Sequence, residues 1–450
     1  MVLLIKDQAS GPLKIRSLCD TLKLSSVGES GVMNSSTRLG IRILLTAVWM
    51  TGVVYVAANP RFYAEAIGSQ FLWVGLASTA ILHLKVRPRW TEMLFLGLVT
   101  ALLCIVTFRL AGFALHLTPF FAVFGLASLG ILGGRSIWAE GKDGKLLFYS
   151  FIPSLLFVGF GWLTPPLLQY GEVAHPKVLD LYLYSFDCSL GFQPSFLVGA
   201  LFAKWPGLQV VSYFFYLAFP VPIAAAYAGQ LMRIGQRALP VMLALLYCGP
   251  IGAIFYGIFP ALGPAHVFQS FPLIALSISQ ARHLLLEPVA LAGYRNAIPS
   301  LHMAWVMLAW WYARGLSWWT KGVVLAFVLF TILATLGSGE HYLIDLVVAF
   351  PFCLMVQGIF AFSLSWRSVP RVLSALLGLF GVLLWFSLLR FATPLFWISP
   401  AIPWALSIGT ILGSLLQQRK LVAALTREES RESAPSRVAV ASEAGELARS

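Results

Sequence analysis

The sequence has little charge for its length, and this shortage excludes most classes of protein. Of its 450 residues 11% are charged and 59% are hydrophobic, and the mean hydropathy is +0.82. Soluble domains carry roughly 25% charged residues, and disordered chains have low hydrophobicity and high net charge. A soluble globular protein and a disordered chain are therefore excluded, and a membrane protein remains.

Two kinds of motif are also missing. The five cysteines show no paired spacing, so the sequence indicates neither a disulfide framework nor a metal site. No glycine-rich loop has the spacing of a nucleotide phosphate cradle. We therefore expect no metal and no cofactor.

Long apolar runs are what the sequence does contain. A helix needs about 20 apolar residues to cross a bilayer, and the runs predict an all-α, polytopic membrane protein with about 12 transmembrane helices. The predicted spans are residues 41–58, 68–84, 93–108, 118–134, 146–164, 209–230, 240–259, 299–313, 322–337, 342–364, 372–389 and 400–416.

The net charge of +13 is explained by where the cations lie. If the N-terminus is cytoplasmic, both tails and the short basic loops fall on the same side, as the positive-inside rule requires. The basic charge then reflects topology, and we expect no nucleic-acid partner. The basic loops are residues 85–92, 135–145, 231–239, 314–321 and 365–371.

Asp345 is the one acidic residue that the sequence places inside a predicted span. His341 precedes it by four residues, a spacing that puts both side chains on one helix face. Ionisable groups inside a span are costly and usually functional. A carboxylate in this position would fix the tautomer of the imidazole, so the pair is a candidate catalytic unit.

A second histidine, His302, begins another predicted span in the sequence Pro-Ser-Leu-His at 299–302. Proline favours the first helical position, which puts His302 in a first turn. In the predicted topology both of these helices start at the non-cytoplasmic face. Two helix N-termini form a ready anion site, so the residues indicate phosphoryl chemistry on a lipid head group.

The two motifs together resemble the type 2 phosphatidic acid phosphatase superfamily. The second motif reads Gly-Glu-His-Tyr-Leu-Ile-Asp at 339–345 and follows the first by about 40 residues. The form of both motifs, and the segment from Tyr256 to Pro264, are most similar to the inositol phosphorylceramide synthase (inositolphosphotransferase) branch. The resemblance covers roughly residues 146–365 and implies a six-helix core there.

The resemblance also implies roles for individual residues. His341 would be the nucleophile and would form a phosphohistidine, with Asp345 orienting it. His302 would protonate the leaving oxygen and later deprotonate the incoming water or alcohol. Ser300 would hydrogen-bond a phosphate oxygen.

One expected cation is missing from the second motif. Better-known phosphatases of the superfamily have Ser-Arg before the nucleophilic histidine, where this chain has Ala334 and Thr335. Arg295, seven residues before His302, is the best replacement that the sequence offers for binding the phosphate.

The rest of the chain has less specific predictions. The segment 165–208 is expected to be an outer loop whose short interfacial helices cover the site or guide lipid. The whole chain divides into a cytoplasmic tail (1–40), an accessory four-helix membrane region (41–134), the catalytic core (146–365), two further membrane helices (372–416) and a disordered cytoplasmic tail (417–450).

Three functions stay open on the sequence. The leading one is an integral-membrane phosphotransferase that takes a lipid phosphate or phospholipid, with an alcohol such as inositol as acceptor. The first alternative is a phosphatase of phosphatidic acid, phosphatidylglycerol phosphate or a polyprenyl diphosphate. The second is a non-catalytic lipid transporter or scaffold, which would place its polar groups near the bilayer midplane.

Overall fold

The structure, a computed structural model, describes residues 35–58, 70–111, 117–273 and 275–433. Helices make up nearly all of its regular structure in these ranges, which supports the predicted all-α class. The helices are α1 (Ser35–Ala58), α2 (Gln70–Lys85), α3 (Trp90–Ala111), α4 (Leu117–Trp138), α5 (Gly141–Ala174), α6 (Asp180–Ser189), α7 (Pro194–Lys204), α8 (Pro206–Leu217), α9 (Pro220–Ile234), α10 (Leu239–Ile258), α11 (Pro264–Val267), α12 (Ile278–Arg282), α13 (Leu301–Tyr312), α14 (Trp318–Gly337), α15 (Leu343–Ile359), α16 (Val369–Phe391), α17 (Thr393–Phe396) and α18 (Ala401–Ser433).

The chain divides into two units, Met1–Val54 and Tyr55–Ser450. In the first unit the described residues belong to α1, where large apolar side chains such as Leu44 and Val48 are exposed. All the other described elements lie in the second unit.

Two short strands pair antiparallel in the second unit: β1 (Lys177–Val178) and β2 (Val289–Ala290). Lys177 lies opposite Ala290 and Val178 lies opposite Val289. Val178 is fully buried, so this pairing fixes the segment that leads directly into α6.

Within the described ranges, three helical stretches are long and apolar enough to cross a membrane: Pro220–Ile258, Trp318–Gly337 and Val369–Phe391. The pair α6 and α7, bent by 84°, makes a fourth if it is counted as one span. Other predicted spans coincide with apolar helices of 10–17 residues, α15 among them. The structure therefore supports an all-α membrane protein, and it does not support the predicted count of twelve spans.

The outer face of α16 shows what surrounds the protein. Leu376 and Phe380 are 57% and 61% exposed, whereas Val382 and Trp385 on the same helix are buried. A row of large exposed apolar side chains is expected where a helix faces lipid. This face agrees with the membrane assignment.

The prediction for residues 146–208 is wrong in two respects. The helix predicted over 146–164 is α5, which has 34 residues and ends at Ala174, because a helix can continue past the apolar run that spans the membrane. The helices predicted as interfacial are α6 and α7, and nine of the ten residues of α6 are buried. A helix at an interface would keep one face in contact with water.

The helix predicted over 209–230 is in fact two helices. The break falls at Ala218 and Phe219, between α8 and α9. Pro220 begins α9, and a proline has no N–H with which to continue the preceding helix.

α15 is packed closely against α16 at a glycine. A Cβ at Gly378 would lie 2.4 Å from the backbone nitrogen of Met355 and 2.5 Å from the carbonyl oxygen of Pro351. Any larger residue would push the two helices apart. The close approach fixes the axis of α15, which carries Asp345 at its other end.

The C-terminal end of α15 is held by a buried arginine. Arg371 donates hydrogen bonds to the carbonyl oxygens of Gly358, Ile359 and Leu364. Its guanidinium also stacks on Trp366, 3.9 Å from the ring centroid. A cation is favourable at this end of a helix, where the free carbonyl groups lie.

Candidate active site

His341 lies in the short connection between α14 and α15, and local hydrogen bonds fix its position. The main chain turns at Gly339, whose φ of 73° lies in the left-handed region that favours glycine. The N–H of His341 donates to the carbonyl oxygen of Thr335, 3.1 Å away. His341 is only 2% exposed, so its ring lies inside the protein.

The ring of His341 faces a carboxylate on one side and a hydroxyl on the other. Its Nδ1 lies 3.4 Å from Oδ2 of Asp345, and its Nε2 lies 3.2 Å from Oγ of Ser300. The same Oδ2 accepts the N–H of Tyr342 at 2.8 Å. A carboxylate beside Nδ1 favours the tautomer that carries its proton there, which leaves the lone pair of Nε2 free for attack.

Ser300 joins the two helices that carry the site. Its hydroxyl caps α13 by accepting the N–H of Met303 at 3.4 Å. Its own N–H donates to the backbone carbonyl of Asp345 at 3.2 Å. The first turns of α13 and α15 therefore lie side by side.

His302 lies in the first turn of α13 and is surrounded by aromatic rings. It stacks on Tyr216 with ring centroids 3.9 Å apart, and it meets the edge of Phe219 at 5.0 Å. The centroids of His302 and His341 are 6.5 Å apart. Reacting atoms lie about 3 Å from the groups that act on them, so a small group between the two rings would lie near both.

Three polar residues around His341 were not predicted from the sequence. Ser195 of α7 donates to the carbonyl oxygen of His341 at 2.8 Å. Asp187 of α6 accepts the N–H groups of Leu343 and Ile344 at 2.8 and 3.3 Å. Asp180, at the start of α6, accepts the hydroxyl of Tyr342 at 3.3 Å.

A sequence signal for the two aspartates exists. Asp180 and Asp187 are seven residues apart in an otherwise apolar stretch, which puts them on the same helix face. Both are buried, at 1% and 2% exposure. The sequence predicts an outer loop here, so it does not place these carboxylates in the site.

The segment that follows α10 packs against the connection that carries His341, where the N–H of Ala265 donates to the carbonyl oxygen of Gly339. Its backbone N–H groups at Leu262 and Gly263 donate to the carboxylate of Asp180. Gly263 has a φ of 116°, and a Cβ there would lie 2.3 Å from the carbonyl oxygen of Glu340. Only glycine fits both the conformation and the space.

Arg295 is buried but points its donors at backbone carbonyl groups. Nε donates to the carbonyl oxygen of His175 at 2.8 Å, and Nη1 to that of Gly293. Nη2 donates to the carbonyl oxygens of Pro176 and Leu291. All three nitrogens of the guanidinium hold the loop that precedes α13, so we leave Arg295 out of the proposed phosphate site.

Other polar side chains between α10 and α13 lie in contacts or cavities outside the candidate site. His266 pairs with Glu340, with Nε2 and Oε2 3.6 Å apart. This contact raises the pKa of His266 above its ordinary value of 6.5, against the opposing effect of burial. Arg282 and His283 line a separate cavity of about 400 Å³, together with Trp397.

A metal centre is not indicated in the part of the chain that the structure describes. No group of three or more His, Cys, Asp or Glu side chains there is arranged to hold a metal ion.

Comparison with known families matches part of the chain to a superfamily. The model of the PAP2 superfamily matches residues 181–359, from the second residue of α6 to the last residue of α15. The match includes Ser300, His302, His341 and Asp345, and it supports the superfamily part of the resemblance. It also supports a function of the lipid phosphatase or phosphotransferase type. No curated protein and no solved structure matches the chain.

Proposed function

We propose that the protein is an integral-membrane lipid phosphotransferase or phosphatase that works through a phosphohistidine on His341. The observation that carries this proposal is the meeting of two histidine rings, 6.5 Å apart, beside one carboxylate. A nucleophile oriented by a carboxylate and a second group able to move a proton are the parts that such a double displacement needs.

In the first step Nε2 of His341 attacks the phosphorus atom. The bond from phosphorus to the leaving oxygen breaks, and His302 gives its proton to that oxygen. Asp345 keeps the Nδ1 proton in place as positive charge develops on the ring. The hydroxyl of Ser300, which now contacts Nε2 at 3.2 Å, turns to a phosphate oxygen.

The second step reverses the roles. His302 takes a proton from an alcohol or a water molecule, whose oxygen attacks the phosphorus atom. The bond between phosphorus and Nε2 breaks, and its electron pair returns to His341. Attack by an alcohol gives phosphotransfer and attack by water gives hydrolysis, so the same residues can serve a phosphotransferase or a phosphatase.

The charge available at the site favours a phosphodiester donor. A phosphomonoester carries between −1.5 and −2 near neutral pH, whereas a diester carries one negative charge. Arg295, the cation that the sequence offers for phosphate, is committed to carbonyl oxygens. A donor with less charge needs less neutralisation, which favours the transferase form resembling inositol phosphorylceramide synthase.

The proposed site opens away from the cytoplasm. Support for this comes from the cation distribution, which places the basic loops on the opposite side from the first turns of α13 and α15.

The test is turnover of a defined lipid panel by purified protein in detergent. The panel holds phosphatidylinositol as a diester and phosphatidic acid as a monoester, each with and without alcohols that include inositol and a long-chain alcohol. We expect His341→Ala to abolish turnover, a loss of more than about 10⁴-fold. His283→Ala, an exposed histidine of the same outer region, is the matched control and should keep it.

The products separate the alternatives. A new phosphodiester that forms only with an alcohol establishes the transferase, and free phosphate from phosphatidic acid without an alcohol establishes the phosphatase. Acid-labile ³²P on the wild-type chain and none on His341→Ala would identify the phosphohistidine. Turnover that survives His341→Ala contradicts the proposal.

A further inference from the structure

Four consecutive residues, from His341 in the connection between α14 and α15 to Ile344 in the first turn of α15, are each held by a side chain of α6 or α7. Ser195 donates to the carbonyl of His341, and Asp180 accepts the hydroxyl of Tyr342. Asp187 accepts the N–H groups of the next two residues, 343 and 344. These contacts join residues 146 to 162 positions apart in sequence, so they form only in the folded protein.

Asp187 contacts the turn that carries Asp345, the partner of His341. The first N–H groups of a helix have no partner within the helix. Asp187 takes those of Leu343 and Ile344, and Asp345 itself takes that of Tyr342. The first turn of α15 is therefore closed by two carboxylates, one from α6 and one that also faces His341.

The alignment of Asp345 with His341 has little tolerance. Nδ1 and Oδ2 are 3.4 Å apart, already longer than an ordinary N–H···O hydrogen bond. Any loosening of the first turn of α15 moves the Asp345 carboxylate away from the ring. The group that keeps this turn closed thus controls whether the nucleophile is oriented.

Asp187 also changes where the phosphate can bind. The sequence predicts an anion site at the N-termini of both catalytic helices. At α15 these N–H groups are taken by carboxylates, and a second negative charge there is unfavourable. The phosphate is left with the side of Ser300 and α13.

We propose that Asp187 is a positioning residue that acts on the reaction through the Asp345–His341 pair, by holding the first turn of α15. The inference rests on the proposed function, since it needs His341 as the reacting group. Asp187 contacts backbone N–H groups of α15, so its effect on the chemical step passes through the catalytic pair.

The experiment measures kcat and KM for the donor that the wild-type protein turns over, using full-length protein in detergent. Asp187→Ala should lower kcat by about 100-fold, the cost of a misplacement near 1 Å, with KM changed less than about 3-fold. Asp187→Asn keeps one acceptor oxygen of the right length and should lose only about 10-fold in kcat. Ser185→Ala is the matched control, because Ser185 is a buried residue of the same helix whose hydroxyl meets Trp397 instead.

A double-mutant cycle separates positioning from simple destabilisation. If Asp187 acts through Asp345, adding Asp187→Asn to Asp345→Asn should cost less than about 2-fold further, because the two residues act as one unit. Multiplying effects would overturn the inference, and so would wild-type kcat in Asp187→Asn. If Asp187→Ala does not fold, Asp187→Asn and the cycle still decide.

The parallel His341→Ala sample keeps the two proposals apart. Loss of turnover in His341→Ala with normal kcat in Asp187→Asn overturns only the role of Asp187. Turnover that persists in His341→Ala overturns the proposed function, and with it this inference.

Discussion

The two histidines of the site are held in different ways. His341 is fixed by polar contacts: a carboxylate, a hydroxyl and a hydrogen bond at its carbonyl oxygen. His302 is held by the faces and edges of aromatic rings, chiefly Tyr216 and Phe219. Hydrogen bonds fix direction and tautomer, whereas stacking fixes a plane and leaves rotation within it.

This difference matches the work that each ring would do. A nucleophile must present one nitrogen in one direction throughout the reaction. A group that first gives a proton to a leaving oxygen and then takes one from an acceptor must serve two oxygen positions. The aromatic rings around His302, which we call the aromatic wall, permit that adjustment. The polar contacts of His341 do not.

The largest test of this contrast is His302→Gln. It should lower turnover of a natural lipid ester by about 10²- to 10⁴-fold, the range for loss of a general acid. An aryl phosphodiester whose leaving group departs without protonation should lose far less, because the first step then needs no acid. The measurement is the ratio of kcat/KM for the two donors.

The same pair of donors should give the opposite result with His341→Ala, which removes the nucleophile and should depress both equally. An equal loss on both donors in His302→Gln would remove the distinction between the two rings.

A smaller effect is expected from the aromatic wall. Tyr216→Leu should lower kcat by about 3- to 10-fold, because a ring pair contributes about 0.5–1.5 kcal/mol. Tyr216→Phe keeps the stacked ring and should stay near wild type. If the phenylalanine variant lost as much as the leucine variant, the hydroxyl would be the important group and stacking would not.

The smallest effect should come from the His266–Glu340 pair beside the loop. The pKa of His266 is raised by the Glu340 carboxylate, so its stabilisation is present at low pH and is lost as pH rises through the raised value. Glu340→Gln should therefore be less stable than wild type near about pH 5.5, and equal to it near about pH 8.5. Thermal melts at both values should show a gap below about 1 kcal/mol, because both side chains are partly exposed.

A gap that widens toward high pH would contradict this assignment of charge. His283→Ala serves as a control, because it removes a histidine of the same region without touching the pair.

Much of the candidate site can be predicted from local spacing in the sequence. The rest depends on contacts between residues that are far apart in the chain. His341 and Asp345 are four residues apart, and Ser300 and His302 two apart, so short motifs bring them into view. Asp187 meets residue 343 across 156 positions, which no local pattern encodes. The apolar stretch around it suggested an interfacial helix, whereas the fold uses that helix as an inner wall.

The fold shows the same division. Helical class and most helix positions follow from the apolar runs, because the runs determine which segments bury or meet lipid. The break at Pro220 and the extension of α5 to Ala174 depend on packing and on polar residues outside those runs. Arg295 shows most clearly what the sequence does not predict. Its position near a histidine in the sequence does not indicate that its guanidinium donates to backbone carbonyl oxygens.

The carboxylate of Asp187 accepts hydrogen bonds from two backbone N–H groups at the start of α15, and these amide protons can be followed without any substrate. Amide hydrogen exchange at Leu343 and Ile344 should be slow, since exchange there requires the helix end to open. Arg371 holds the opposite end through the carbonyl oxygens of Gly358 and Ile359. The protection of amides along α15 from hydrogen exchange therefore measures how well the site is ordered. This measurement can be made in detergent or in lipid before the donor and acceptor substrates are identified.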